Sequence, residues 1–350
     1  MTETPGPSPA EQAVAPADVG AVAIGRNEGT RLACCLASLE GQAATVVYVD
    51  SGSTDDSAEI ARAAGAHMVT LDLSRPFTAA RARNAGFEVL TRLCGERLVY
   101  VQFLDGDCEI EPGWIITARA HLEADPSVAA ACGRRRERHP EASIYNHLCD
   151  MEWNSAIGQT TACGGDSLMR RAAFEAVGGF DPTLIAGEEP DLCFRMRAAG
   201  WTIWRLDEPM TRHDADMTRF GQFWRRSVRG GWAYAEGVAR HGDTPERYNR
   251  RQLRSVLIWG AAAPAVILAG AAAAAAYPPL SVVPVLAALA YPAMALRVAW
   301  NRRRRFGDPW RDALAYAVFT MIGKHAQALG ALRFHRLRRR RETAHLIEYK

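Results

Sequence analysis

Two carboxylates beside a glycine, Asp105-Gly106-Asp107, close an apolar run that begins at Arg97. Hard divalent cations take oxygen ligands, so paired aspartates at the end of a strand are a candidate cation site. A second acidic set, Glu188, Glu189 and Asp191, surrounds Pro190 after Gly187. Acids with an early proline also mark the first turn of a helix, and Asp-Gly is also turn chemistry, so neither segment is decisive alone.

These acids need a scaffold. Between Arg97 and Leu104, Val99, Val101 and Phe103 fall on one face of a strand and Tyr100, Gln102 and Leu104 on the other, as in a sheet covered on both sides. Upstream, strand and helix signals alternate: a strand over 19–24, a helix over 30–39, a strand over 45–50 and a helix over 55–64. The alternation predicts a parallel sheet with crossover helices, in which ligands sit at the carboxyl ends of strands. The run ending at Asp50 leads into Ser51-Gly52-Ser53-Thr54-Asp55, which can cap the next helix and present an anion-binding N-terminus. Gly25-Arg26-Asn27-Glu28 after the first strand is ordinary loop composition. Neither Gly-x-Gly-x-x-Gly nor a Walker sequence occurs, against dinucleotide and P-loop sites.

A chain of 350 residues with 48% apolar and 23% charged residues is globular in composition, with room for one large domain or two ordinary ones. Residues 1–18 are rich in Pro, Ala and Ser and have neither a basic nor an apolar signal segment, so they read as a disordered tail that leaves the following domain in the cytoplasm. The eight cysteines show no Cys-x-x-Cys spacing, against a zinc cluster and compatible with reduced, mostly buried thiols. None is assigned a function. The net charge of +3 hides arginine clusters at 225–254, 297–305 and 333–341, around apolar runs at 256–277 and 280–295. Each run approaches the roughly 20 residues that span a bilayer, and the flanking arginines place both ends on the cytoplasmic side. Residues 312–332 read as an amphipathic helix on the membrane face. The partner expected from this charge pattern is a membrane, and no nucleic acid is expected.

Over residues 19–235 the chain resembles the family 2 glycosyltransferases of the GT-A fold. Ala23-Ile24-Gly25-Arg26-Asn27-Glu28 resembles the family's first strand and base-lining loop. Val49-Asp50-Ser51-Gly52-Ser53-Thr54-Asp55 is similar to its Asp-x-Gly-Ser-x-Asp segment, which implies that Asp50 contacts uracil or ribose. Ala82-Arg83-Asn84-Ala85-Gly86 is similar to its Ala-Arg-Asn-x-Gly helix start, and Asp105-Gly106-Asp107 to its metal-binding Asp-x-Asp. The implied fold is a Rossmann-like, nucleotide-sugar-binding mixed sheet flanked by helices, followed by a C-terminal helical membrane region. The implied division is a GT-A catalytic domain over 19–250, a transmembrane hairpin over 251–300 and a basic amphipathic membrane-surface helix and tail over 301–350.

Glycosyl transfer from a nucleoside diphosphate makes definite demands. Charge develops on the leaving diphosphate, and a divalent ion, Mn²⁺ or Mg²⁺, held by Asp107 with Asp105 near the metal or ribose would stabilise it. The acceptor hydroxyl needs a base. The resemblance places that base at Glu189, but Glu stands where the family has Asp, so Glu188, Glu189 and Asp191 all stay open. The resemblance implies that His213 completes the metal shell, and that the glycine-rich stretch Cys163-Gly164-Gly165-Asp166 lies against the donor sugar. Trp153 is read either as an acceptor platform or as core. Arg225, Arg226 and Arg229 stand where processive synthases carry Gln-x-x-Arg-Trp, which they do not match; they are candidates for diphosphate or anionic lipid. The expected nucleotide-sugar contacts are Gly25, Asn27, Glu28, Asp50, Gly52, Ser53, Arg83, Asn84, Asp105, Gly106, Gly164, Gly165, Asp166 and Arg229.

The expected activity is inverting, metal-dependent transfer from a nucleotide sugar, UDP-sugars favoured, to a lipid-linked saccharide in bacterial surface polysaccharide synthesis at the inner membrane. The alternatives are transfer to polyprenyl phosphate and a noncatalytic nucleotide-sugar-binding membrane adaptor.

Overall fold

The computed structural model describes residues 15–340, so most of the expected N-terminal tail and the end of the basic C-terminal stretch lie outside the described residues. Among the described residues the chain packs as two units: one comprises 15–139, 153–184 and 188–215, and the other 140–152, 185–187 and 216–340. The division falls at 215/216, so the segment 216–250, grouped by sequence with the catalytic domain, packs with the C-terminal helices.

The first unit is built on a nine-stranded mixed sheet. Its strands are β1 (Val19–Gly25), β2 (Thr45–Asp50), β3 (His67–Thr70), β4 (Tyr100–Asp105), β5 (Cys108–Ile110), β6 (Val128–Glu137), β7 (Gly158–Thr160), β8 (Ser167–Arg170) and β9 (Thr202–His213). The order is β3-β2-β1-β4-β8-β6-β9-β5, with β7 also paired to β9. Strands β3, β2, β1 and β4 are parallel, joined by α1 (Thr30–Ser38), α2 (Ser57–Ala63) and α3 (Ala79–Cys94). Strand β8 runs antiparallel between β4 and β6. The carboxyl ends of β1, β2 and β4 are in register, with Gly25 opposite Asp50 and Ile24 opposite Asp105, so both strand-terminal aspartates emerge at one edge.

The core follows from the apolar alternation. Val22, Val47, Val49, Val101, Phe103 and Leu104 are fully buried, as a sheet covered on both faces requires. Gln102 is buried too, its amide accepting from Trp114 Nε1 at 3.0 Å. Strand β4 starts three residues later than predicted because Gly95–Arg97 form a 3₁₀ turn. Strand β9 runs seven residues past Leu206, where its apolar run ends. Asp207-Glu208-Pro209 interrupts the apolar pattern, and register shifts against β6 absorb the interruption. Helices α4 (Trp114–Ala124), α6 (Arg171–Ala176) and α7 (Glu188–Ala198) complete this unit, while α5 (Ile144–Trp153) belongs mainly to the other.

The second unit is helical: α8 (Phe220–His241), α9 (Arg250–Leu257), α10 (Ala263–Ala276), α11 (Val282–Phe306) and α12 (Trp310–Arg340). The continuous helical stretches Arg250–Ala276 and Pro278–Phe306 are each long and apolar enough to cross a membrane. Their large side chains face outward, Leu268 at 72% exposure and Leu286 at 61%. Part of the apolar face of α12 is covered within the unit. Phe334 meets the Trp232 ring edge-on at 5.3 Å, and Ala313 and Ala317 pack on Ala299. Glycines bring the α8 and α12 backbones together: a Cβ at Gly330 would lie 2.0 Å from the Val228 carbonyl oxygen, and one at Gly231 1.9 Å from that of Gln327. Arg302, counted by sequence among the flanking surface charges, is buried against Asp308 and lies over the Phe306 and Tyr316 rings.

Candidate active site

The β1–α1 and β2–α2 loops are laced together. Asn27, in the left-handed region at φ 58°, accepts from the Thr54 amide at 2.7 Å and donates its own N–H to Ser53 Oγ at 2.9 Å. Glu28 donates its N–H to Ser57 Oγ, and its carboxylate pairs with Arg31 at 2.9 Å. Asp50 accepts from the Gly52 and Ser53 amides at 3.1 and 3.0 Å and from the Ser53 hydroxyl. Its buried carboxylate therefore orders the loop that follows β2.

Arg83, on α3, connects the two acidic segments. Its guanidinium is buried, with Nη2 2.6 Å from Asp105 and Nη1 3.0 Å from Glu188. Burial works against its charge, but Asp105 and Glu188 outweigh that penalty and hold its pKa above the ordinary value. Gly165 fits against this pair: a Cβ there would lie 2.8 Å from Arg83 Nη2 and 3.3 Å from Asp105 Oδ2. Gly106 is similarly close to the Ile24 carbonyl, and Gly164 takes φ +81°. Asn84 makes both its amide bonds to the Phe180 backbone, at 2.7 and 3.0 Å, and thereby holds the Gly178-Gly179-Phe180-Asp181 turn. Asp166 is fully buried. It accepts from Thr211 Oγ1 at 2.9 Å and the Asp105 amide at 3.4 Å, so it steadies the end of β4 from beneath.

Asp107 and His213 meet because β5 pairs antiparallel with β9, placing Cys108 opposite His213. Asp107 Oδ1 lies 3.4 Å from His213 Nε2, both residues are buried, and Cys108 Sγ completes a group whose potential ligand atoms lie within 4.8 Å of one another. Carboxylate oxygen with imidazole nitrogen is a donor set that suits Mn²⁺. Asp105 is engaged by Arg83 and is not in that group. Arg229 lies on α8 in the second unit.

The three acids of α7 have different partners. Glu188 faces Arg83, and Asp191 faces Arg195 at 2.8 Å. Glu189 is 7% exposed and has no basic partner among the described residues. Its Oε1 accepts from the Cys163 amide at 2.6 Å and from the Cys193 thiol at 3.0 Å. Hydrogen bonding to Cys163 and burial push the Cys193 thiol well above its ordinary pKa, so it stays a donor at neutral pH.

The family Glycosyl transferase family 2 matches over residues 24–178. The chain carries a family 2 glycosyltransferase domain. The O-antigen chain rhamnosyltransferase WbaN of Salmonella anatum is 27% identical over 197 residues, 53% of this chain and 61% of that protein. The succinoglycan biosynthesis protein ExoA of Rhizobium meliloti is 27% identical over 176 residues, 47% of this chain and 52% of that protein. The chain thus spans about half the length of the curated relatives it matches. A mannosyltransferase from Pyrobaculum calidifontis, solved with GDP-Man and Mn²⁺, aligns with a TM-score of 0.55 at 21% identity, covering 92% of this chain and 90% of that one. The fold is the GT-A arrangement.

Several residues around the family 2 site went unnoticed in the sequence. Arg135 pairs with Asp166 at 2.8 Å and lies 5.4 Å over the Trp153 ring. Trp153 in turn meets His213 edge-on at 4.7 Å, so it packs beside the candidate metal ligands. Glu137, opposite His213 on β6, has its carboxyl 4.0 Å from His213 Nδ1 and accepts the Ala215 amide. Burial raises its pKa. Three consecutive arginines, 134–136, resemble a solvated charge run, and only the parallel pairing of β6 with β9 brings Arg135 inward.

Proposed function

We propose that this chain is an inverting, metal-dependent glycosyltransferase, moving a sugar from a nucleoside diphosphate sugar to a lipid-linked saccharide in bacterial surface polysaccharide or glycoconjugate synthesis. The observation that carries the reading is the division of charge on α7. Glu188 and Asp191 are paired with arginines, whereas Glu189 is held through Oε1 by an amide and a thiol. A carboxylate paired to a guanidinium is a poor proton acceptor. Glu189 Oε2, without a partner among the described residues, is available to take the proton of an acceptor hydroxyl.

Asp107 and His213 would hold the divalent cation, Mn²⁺ by preference over Mg²⁺ because of the imidazole ligand. When bound, the cation stabilises the negative charge of the departing diphosphate. Arg83 fixes Asp105 for the ribose side of the donor, and Gly164 and Gly165 leave room for the sugar. Gly25, Asn27, Glu28, Asp50, Gly52 and Ser53 form the loops assigned to the nucleoside, while Asp166 supports Asp105 at the end of β4 and Asn84 holds the turn at Phe180. With Glu189 serving as one base, the acceptor oxygen displaces the diphosphate directly, which inverts the anomeric centre.

The relatives' names point to O-antigen and succinoglycan assembly, and the structural neighbour was solved with a GDP-sugar. UDP-sugars remain the favoured donors here, on the likeness of the Asp50 segment to its family counterpart. The hairpin of α10 and α11 attaches the protein to the inner membrane, with Arg250, Arg251 and Arg254 at one end and Arg303, Arg304 and Arg305 at the other on the cytoplasmic side.

The test is detergent-solubilised protein with Mn²⁺ and a panel of UDP-, GDP- and dTDP-sugars, scoring nucleoside diphosphate release with and without EDTA, and with lipid-linked saccharide or polyprenyl phosphate as acceptor. Chelator-sensitive release with the saccharide acceptor is the expected result. Transfer to polyprenyl phosphate alone would move the acceptor assignment. Saturable donor binding without turnover across the panel would overturn the enzymatic reading in favour of an adaptor.

A further inference from the structure

The cluster that holds Glu189 has a composition that proton transfer does not require. Cys163 Sγ and Cys193 Sγ lie 3.4 Å apart, and Cys193 Sγ is 3.0 Å from Glu189 Oε1. All three residues are buried, and their potential ligand atoms lie within 4.8 Å of one another. A tetrahedral zinc ion with bonds of about 2.3 Å to sulfur and 2.0–2.2 Å to oxygen needs ligand atoms separated by roughly 3.6–3.8 Å, an expansion of a few tenths of an ångström at the two measured contacts. The second observation is electrostatic. A buried carboxylate normally has a cationic partner, and Glu189 has none among the described residues, although Glu188 and Asp191 beside it do.

We propose that Cys163, Cys193 and Glu189 form a site for a thiophilic divalent cation such as Zn²⁺ or Cd²⁺, separate from the Asp107–His213 site. Binding converts two thiols to thiolates and releases their two protons to solvent, giving a singly negative assembly with the carboxylate as third ligand. Water or the Ser167 hydroxyl, 3.4 Å from Cys163 Sγ, takes the fourth position. Sulfur ligands make this site prefer thiophilic cations, but Zn²⁺ also exceeds Mn²⁺ at imidazole sites, so inhibition is assigned here only where the Cys163→Ser/Cys193→Ser variant escapes it. Cation binding at this site also removes the proposed base, so thiophilic metals inhibit transfer even at saturating Mn²⁺. That consequence rests on the assignment of Glu189 as the base; binding itself does not.

The experiment is Cd²⁺ titration of the full chain in detergent with excess Mn²⁺, reading the ultraviolet cadmium–thiolate charge-transfer band against the Cys163→Ser/Cys193→Ser double variant. One equivalent of band present in the parent and missing from the double variant is expected. The site is overturned if the parent gives no band or the double variant gives the same one. Glu189→Gln keeps both thiols and nearly the same shape, and guards against a misfolded cysteine variant. Its Cd²⁺ affinity should fall by more than about tenfold, a loss typical even of an outer-shell partner, and unchanged affinity would remove Glu189 from the site. Zn²⁺ inhibition of donor turnover is then read separately: binding without inhibition would retain the site and overturn the base assignment.

Discussion

Asp107 and His213 are held 3.4 Å apart by a single strand pairing, because Cys108 of β5 stands opposite His213 at the end of β9. The pairing makes two short peptide segments, far apart in the chain, into one set of donor atoms before any cation arrives. Preorganisation of this kind predicts that either residue can be removed without unfolding the sheet. Asp107→Ala should lose donor turnover by roughly a hundredfold or more, since metal stabilisation of the leaving group is worth several kcal/mol. Mn²⁺ electron paramagnetic resonance should report weakened binding in both Asp107→Ala and His213→Ala. Wild-type Mn²⁺ affinity in Asp107→Ala would remove it from the ligand set.

The Arg83 bridge predicts a stability effect. Arg83→Met removes the guanidinium but leaves Asp105 and Glu188 facing each other's charge, with Glu188 largely buried. Breaking a buried pair from one side costs about 3 kcal/mol or more, so thermal unfolding should move down by several degrees. The double change Arg83→Met/Glu188→Gln should recover part of the loss. Additive losses in that cycle would mean that the bridge carries no coupling.

The acids of α7 should separate kinetically. Glu189→Gln should retain donor binding while transfer falls by about 10²–10⁴-fold, the usual contribution of a positioned base. Glu188→Gln should act mainly through Arg83, and Asp191→Asn through Arg195. If Asp191→Asn keeps its fold but loses transfer as Glu189→Gln does, the assignment shifts by two residues.

Why these neighbours could not be told apart in the sequence is a matter of range. Glu188, Glu189 and Asp191 share one local signature, a helix N-terminus with an early proline, and differ only through Arg83, Cys163 and Arg195. Two of those partners are remote in the chain. The strands β1 and β2, by contrast, were legible to within a residue because their apolar runs are uninterrupted and capped. The apolar run of β9 stops at Asp207-Glu208-Pro209, where bulges permit pairing to continue despite broken alternation. The packed face of α12 was not legible for a related reason: glycine spacing signals close backbone approach only once Gly231 and Gly330 are seen to meet their partners across the helix pair.

Adjacent cysteines offer a test of burial. Cys34 is exposed, while Cys35 is buried and its thiol is raised well above its ordinary pKa, first by burial and then by Asp166 and Asp105. The thiolate is the reactive form, so a raised pKa lowers reactivity at any given pH. Iodoacetamide near neutral pH should alkylate Cys34 and leave Cys35 unmodified until the protein unfolds, read by peptide mass spectrometry. Equal labelling of both in the folded protein would contradict the packing of α1.

Gly165→Ala should be costly in a way that its loop setting does not foretell. The added Cβ meets Arg83 Nη2 at 2.8 Å and Asp105 Oδ2 at 3.3 Å, and the guanidinium cannot swing aside without giving up Asp105, Glu188 or both. Overpacking at such a point costs about 1–3 kcal/mol. The displacement falls on the residues assigned to the donor, so donor KM should rise along with the loss of stability. The Arg83→Met background separates the two effects, because without the guanidinium the same methyl group has space. Gly165→Ala should then be nearly neutral in stability, and a full penalty persisting there would place the conflict in the backbone of the glycine-rich segment instead of in the Arg83–Asp105 pair.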